Sequence, residues 1–322
     1  MHSAVLRALA ALAFMAYAVS PAAAQSYPSK SVRLIIPFPP GGSNDVVGRM
    51  FGQQLGERLG QALVVDNRGG AGSIIGTEAA AKAPADGYTL LLVSVPFAFA
   101  PAMYKNIPYD PARAFAPIGL IGSGPVVLVV HPGMPVNSVK DLIAVAKEKP
   151  YGVRVASAGI GSFQHLAIEL FRLHSGVSLL HVPYKGGGPA MADVIGGHAE
   201  VLMGATVQIL PHVRAGRLRA LGVSGTRRNP ALPDVPAIAE SLPGYDATNW
   251  WGIMAPAGTP TPVIDRLHTD IGSVVVSAET RQRLEAEGAE AMPMSPAEFG
   301  KFIEAEIAKW SRVVKEAGIT AD

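Results

Sequence analysis

Seven of the eight histidines in this 322-residue chain lie at positions 131, 165, 174, 181, 198, 212 and 268. None falls in the H-x-x-x-H or H-E-x-x-H spacing that puts two imidazoles on one helix face for zinc. There is no cysteine, so thiolate metal sites, disulfides and cysteine nucleophiles are excluded together. Ser162 and His165 stand three apart and could pair as nucleophile and base in a secreted hydrolase. Such a pair also needs an orienting third group and an oxyanion hole, and no G-x-S-x-G elbow occurs. His165, at a helix start, reads more simply as a structural hydrogen-bonding residue. No catalytic residue, metal ligand set or cofactor site is assigned. Gly70-Ala71-Gly72-Ser73-Ile74-Ile75-Gly76 lacks the G-x-G-x-x-G spacing of a dinucleotide turn, and Gly41-Gly42-Ser43 lacks a phosphate-loop lysine.

Binding chemistry is better represented. Glycine-rich turns with small hydroxyls follow the predicted strands: Phe38-Pro39-Pro40-Gly41-Gly42-Ser43-Asn44-Asp45, Asn67-Arg68-Gly69-Gly70, Ser157-Ala158-Gly159-Ile160-Gly161-Ser162, Tyr184-Lys185-Gly186-Gly187-Gly188-Pro189 and Gly204-Ala205-Thr206. Ser94 follows a further strand. Each turn leads into a helix, where unpaired N–H groups and the helix dipole favour an anion. The same glycines could serve only to make tight turns. Their recurrence at one edge of two strand series favours the anion reading. Asp45 is most simply a capping carboxylate, with contact to a ligand ammonium or hydroxyl as its alternative. Trp250-Trp251 reads as a buried hinge contact.

The elements that carry these turns form two series. Strands over 32–38, 62–65 and 88–93 alternate with helices starting near 43 and 75, the βαβαβ order of a parallel sheet. A second series has strands over 126–130, 153–157, 179–184, 200–204 and 218–223, with helices between them. Proline- and glycine-rich stretches over 108–117 and 229–243 read as boundary segments. A strand over 251–255 then opens a helical tail, and the last helix carries Phe299, Phe302, Ile303, Ile307, Trp310, Val313 and Val314 on one face. This tail is expected to pack on the first domain, so the chain crosses between domains twice.

The near-balance of 27 Lys+Arg against 25 Asp+Glu gives no basic footprint for nucleic acid. Arg7, the apolar run 8–19 and Ala22-Ala23-Ala24 follow the order of a secretory leader cleaved after Ala24. A periplasmic location is expected, with no lipid anchor because no cysteine is available.

Together these loops are similar to one known family. Pro37 to Asp45, Asp66-Asn67-Arg68, Asp86-Gly87-Tyr88, Gly159-Ile160-Gly161-Ser162, Val182-Pro183-Tyr184-Lys185 and Leu232-Pro233-Asp234-Val235-Pro236 resemble the Bug family of periplasmic receptors for tripartite tricarboxylate transporters. The likeness runs in order through the mature chain. It implies an α/β two-domain clamshell, each domain a mainly parallel sheet flanked by helices. Residues 27–122 and 250–322 would form domain I, and 123–249 domain II. It also implies a small carboxylate or amide ligand, a monomer, and membrane subunits of the transporter as partners. One jaw would be Phe38, Pro40, Gly41, Gly42, Ser43 and Asp45, with Asn67 and Ser94. The other would be Ser157, Gly159, Ser162, Tyr184, Gly186, Gly204 and Thr206. Pro40 replaces the family's frequent alanine, and Gly204 stands where many members carry aspartate. An orphan or chemosensory receptor without transport is the remaining alternative.

Overall fold

A computed structural model describes residues 27–286 and 288–320; the expected leader lies outside the described residues. The apolar pentad Val32–Ile36 forms β1 at the centre of a parallel trio with β2 (Leu63–Asn67) and β3 (Thr89–Ser94). Beyond β3 lie β9 (Thr248–Pro256) and then β4 (Phe115–Val130), both antiparallel to their neighbours. β4 has 16 residues and belongs to two sheets. Its first half pairs with β9 and with the short β10 (Glu290–Ala291), while its second half, from Val126, pairs with β7 (Val201–Ala205) and β8 (Arg219–Val223). The second sheet is completed by β5 (Arg154–Ser157) and β6 (Leu180–Pro183), which run parallel to β7.

Parallel pairing is therefore confined to the trios β2-β1-β3 and β6-β5-β7, and the expectation of mainly parallel sheets needs that correction. A chain that passes from one sheet to the other and returns must run its two passages in opposite directions. The strands at the crossing are antiparallel for that reason.

Helices cover both faces of both sheets. In the first domain, α1 (Ser43–Leu59) packs Val47, Met50, Phe51 and Leu55 on one sheet face, joined by α8 (Thr261–Val275) and α9 (Ala278–Ala286) of the tail. The other face takes α2 (Ile74–Ala81), α3 (Val95–Met103) and α10 (Pro296–Ala317). In the second domain, α4 (Val139–Glu148) and α5 (Phe163–Ser175) lie on one face, and α6 (Gly187–Ile195) and α7 (Thr206–Arg214) on the other. Helix α3 was not expected. It carries prolines at its second position and near its end, residues that weaken a helix signal. β4 likewise starts at Phe115, inside the expected boundary segment.

Ser224 ties the two passages of the chain together. Its hydroxyl accepts the Val126 amide at 2.9 Å and donates to the Ala247 carbonyl at 2.6 Å. Its own amide donates to Val126 O, and its carbonyl accepts the Ala247 amide. The side chain is fully buried. Beside it, Trp250 and Trp310 both donate their indole N–H to one carboxylate oxygen of buried Glu306 at 2.9 Å, and Phe163 of α5 meets Trp310 edge to face. The long tail helix thus touches the second domain while packing on the first.

Replacing Ser224 by alanine would leave the Val126 amide buried without an acceptor, a cost of about 1–3 kcal/mol. Urea denaturation of Ser224→Ala should show that loss as a lower midpoint at unchanged slope. An unaltered midpoint would mean that the hydroxyl does not carry the tie.

Candidate ligand-binding cleft

The loop between β1 and α1 is held in shape by one carboxylate. Asp45, 5 % exposed, accepts the Gly41 amide on Oδ2 at 2.9 Å. Its Oδ1 accepts from Arg49 Nε and from Asn67 Nδ2, each at 2.9 Å. Asn67 also donates to the Phe38 carbonyl at 3.1 Å and accepts from Arg49 at 2.7 Å. Burial alone would raise the Asp45 pKa, but the bonds from Arg49, Gly41 and Asn67 together hold it below the usual carboxylate range. Asp45 is therefore a fixed anion with both oxygens engaged. Neither Ser43, Asn44 nor Asp45 makes a side-chain N-cap bond in the usual sense; the N-cap of α1 is Gly42, which has none. Asn44 instead accepts the Trp251 indole at 2.8 Å, linking the loop to the crossing strand β9.

This arrangement leaves backbone donors pointing out of the loop. The amides of Gly42, Ser43 and Asn44 have no partner among the described residues. Gly41 needs its glycine for φ +86°, whereas Gly42 sits at φ −84°, ψ 170°, open to any residue, and a Cβ there would meet nothing within 4 Å. Phe38 packs its ring against the first-domain core, and Pro40 is exposed.

The facing loop after β5 is fixed by imidazoles. Ser157 Oγ lies 2.6 Å from His181 Nε2 and accepts the Gly159 amide at 3.1 Å. His181 stacks on His165, centroids 3.9 Å apart, and His165 Nδ1 accepts the Gly161 amide. Ser162 is the N-cap of α5, and its hydroxyl accepts the His165 backbone amide at 3.2 Å. The serine hydroxyl thus faces the main chain of His165 and not its ring, so the nucleophile–base pair considered for a hydrolase is not assembled. The Phe163 and Gln164 amides remain without partners among the described residues.

The other expected positions differ in what they present. Tyr184 donates its hydroxyl to Asp193 at 2.5 Å, and Gly186, at φ +118°, is the N-cap of α6. That helix starts at Gly187, two residues before Pro189. Gly204 points at α7, where a Cβ would meet Ile209 at 2.7 Å; its small size serves packing. Thr206, 2 % exposed, donates to the Pro125 carbonyl at 2.9 Å. Ser94 is 1 % exposed, and its hydroxyl has no partner among the described residues. It pairs in register with Trp251, so both side chains leave the sheet on one face.

On that face a small cavity of about 30 Å³ joins the two domains, lined by Ser43 and Val47 of α1, Gly124, Pro125 and Val126 of β4, Ala205, Thr206, Asn249 and Trp251. Sequence reasoning missed Asn249, Val126 and Trp251 as its floor, since strand residues at a crossing carry no loop signature. A larger cavity, about 410 Å³, lies on the opposite face of the same strands, between Ser123, Thr248 and Trp250 and the tail helix residues Phe302, Glu306 and Lys309. It touches none of the expected jaw residues.

Burial holds the pKa of both stacked histidines down to about 4, with Arg172 adding to the effect on His165 and His165 itself on His181. Above pH 6.5 both rings are neutral in either state. Between 6.5 and 4 the unfolded chain binds the more protons, so stability must fall as pH falls through that window. Thermal melting from pH 7 to pH 4 should record that decline, and it should flatten in His165→Gln/His181→Gln. An equal slope in the double variant would assign the decline to other groups.

Comparisons with known proteins identify the family. The model of the tripartite tricarboxylate transporter family receptor, TctC, matches residues 47–319. Protein BugT of Bordetella pertussis is 39% identical over 302 residues, covering 93% of each chain. The solved structure of R. palustris Rpa4515 with adipate is 36% identical with a TM-score of 0.83, covering 91% of this chain and 99% of that one. MatC (Rpa3494) from Rhodopseudomonas palustris with bound malate is 28% identical with a TM-score of 0.79, covering 89% and 100%. The fold is the two-domain α/β fold of periplasmic binding proteins, and the chain belongs to the TctC family of tripartite tricarboxylate transporter receptors, with Bug proteins among its relatives.

Proposed function

We propose that this receptor captures a small carboxylate between its two domains and delivers it to the membrane subunits of a tripartite tricarboxylate transporter. The observation that carries the reading is the set of unpartnered amides at the starts of α1 and α5, on loops of opposite domains. N–H groups at a helix start favour a carboxylate through direct bonds and through the helix dipole. Relatives solved with adipate and with malate support the class of ligand. Residues 27–122 and 250–322 would form one jaw and 123–249 the other, with the hinge where β4 changes sheets. The engaged serine and histidine side chains support binding without catalysis. Delivery to the transporter, a periplasmic location after cleavage at Ala24, and a monomeric state complete the proposal.

Two experiments test it. Small organic acids should raise the melting temperature, because binding to the native state alone stabilises it by linkage. Gene deletion should abolish uptake of the acid that stabilises the protein most; retained uptake would point to a sensory receptor instead.

Gly42→Val isolates the cleft, since the backbone there accepts any residue and a Cβ has room. The variant should keep the circular-dichroism spectrum and melting temperature of the free protein. Its affinity should fall at least about tenfold, as the side chain blocks approach to the loop amides. Unchanged affinity would mean that ligand does not approach this loop.

A further inference from the structure

The larger cavity, about 410 Å³, lies on the face of the crossing strands opposite the cleft and is walled by both domains. Its floor is Ser123, Thr248 and Trp250. The second domain contributes residues 225–231 and Asp246, and the first contributes Glu285, residues 288–290, Met292 and one face of α10. Two bonds join these walls: Asn229 Nδ2 donates to the Gly288 carbonyl at 2.6 Å, and Arg227 pairs with Glu290 at 3.1 Å. The volume is that of a pocket for a small molecule. Trp250 and Phe302, edge to face with centroids 5.4 Å apart, give it an aromatic wall, and Met292, Ala289 and Pro230 add apolar lining.

Its charges do not balance. Asp246, Glu285, Glu290 and Glu306 line it, against Arg227, Arg228 and Lys309. Arg228 is committed elsewhere: Nε and Nη2 donate to Glu240 and Nη1 to the Pro233 carbonyl, neither of them a lining residue. Four carboxylates therefore face two cations. Arg227 is matched by Glu290, which leaves Lys309 between Glu306 at 3.1 Å and Asp246 at 3.7 Å. Glu285 has no ionic partner among the described residues. Glu306 is 8 % exposed, so water screens its charge poorly. The whole chain has more basic than acidic residues, so this acidity is local. A carboxylate held away from water without a full counter-charge is unfavourable, and a bound cation would supply one. An ammonium beside aromatic rings gains further from their faces.

We infer that this cavity is a second binding site, taking a small organic cation: an ammonium group on an apolar body. Its selectivity is opposite in sign to that proposed for the cleft, and it uses none of the jaw residues.

Three probes that share one ring separate charge from shape: benzylamine, benzyl alcohol and benzoate. Titration calorimetry at neutral pH and low salt should show one-site binding of benzylamine, at least about fivefold tighter than benzyl alcohol, with benzoate weakest. Indole N–H signals in proton–nitrogen correlation spectra locate the probe. Trp250 lines this cavity and Trp251 the cleft, so benzylamine should shift the Trp250 signal and leave that of Trp251 in place. Glu285→Gln should weaken benzylamine about threefold and leave benzyl alcohol unchanged. Glu285 is exposed, so the variant should keep the melting temperature of the free protein. The inference would be overturned by benzyl alcohol or benzoate binding as tightly as benzylamine, by a shift confined to Trp251, by an unaltered benzylamine affinity in Glu285→Gln, or by no binding of benzylamine at millimolar concentration.

Discussion

Everything in this receptor hangs on one strand that serves two sheets. β4 leaves the first sheet at Pro125 and enters the second at Val126 without a break, and the return passage lies beside it, bound through Ser224. Two antiparallel passages held by main-chain bonds and one buried hydroxyl fix the spacing of the domains. Each domain can then be built separately, with its own trio of parallel strands ending at the shared cleft. Parallel strands send their carboxyl ends, and the helix starts that follow, to one edge. The crossing brings the two edges face to face.

At that edge the side chains mostly bind the protein itself. Asp45, Asn67 and Arg49 hold the first loop, and the Ser157–His181–His165 array holds the second. They fix main-chain geometry, so that the loop amides are held in place. Preorganised donors lose little freedom on binding. The Asn44–Trp251 bond joins the first loop directly to β9.

Much of this was legible in the sequence. Runs such as Val32–Ile36 and the glycine-rich turns after them located both strand series and the loops at their ends, because strand burial and tight turns leave local signatures. The double role of β4 was not legible: a strand that changes sheets midway has no local mark, and Pro117 and Pro125 argue against a strand of that length. Helix α3 was hidden by Pro96 and Pro101. Residue roles were harder still. Asp45, Thr206 and Tyr184 were expected to meet ligand, yet their polar atoms are bound to Gly41 and Arg49, to Pro125 and to Asp193. Such partners lie as far as 81 positions apart, beyond the reach of spacing arguments.

The central claim is that both domains hold one ligand by main-chain amides on opposed loops. Hydrogen exchange, followed by mass spectrometry with and without a saturating small organic acid that raises the melting temperature, addresses it most directly. Protection should rise together in residues 38–45 and 157–164, with smaller changes where β4 and β9 cross. Protection confined to one of the two loops would place the site within a single domain and contradict the account.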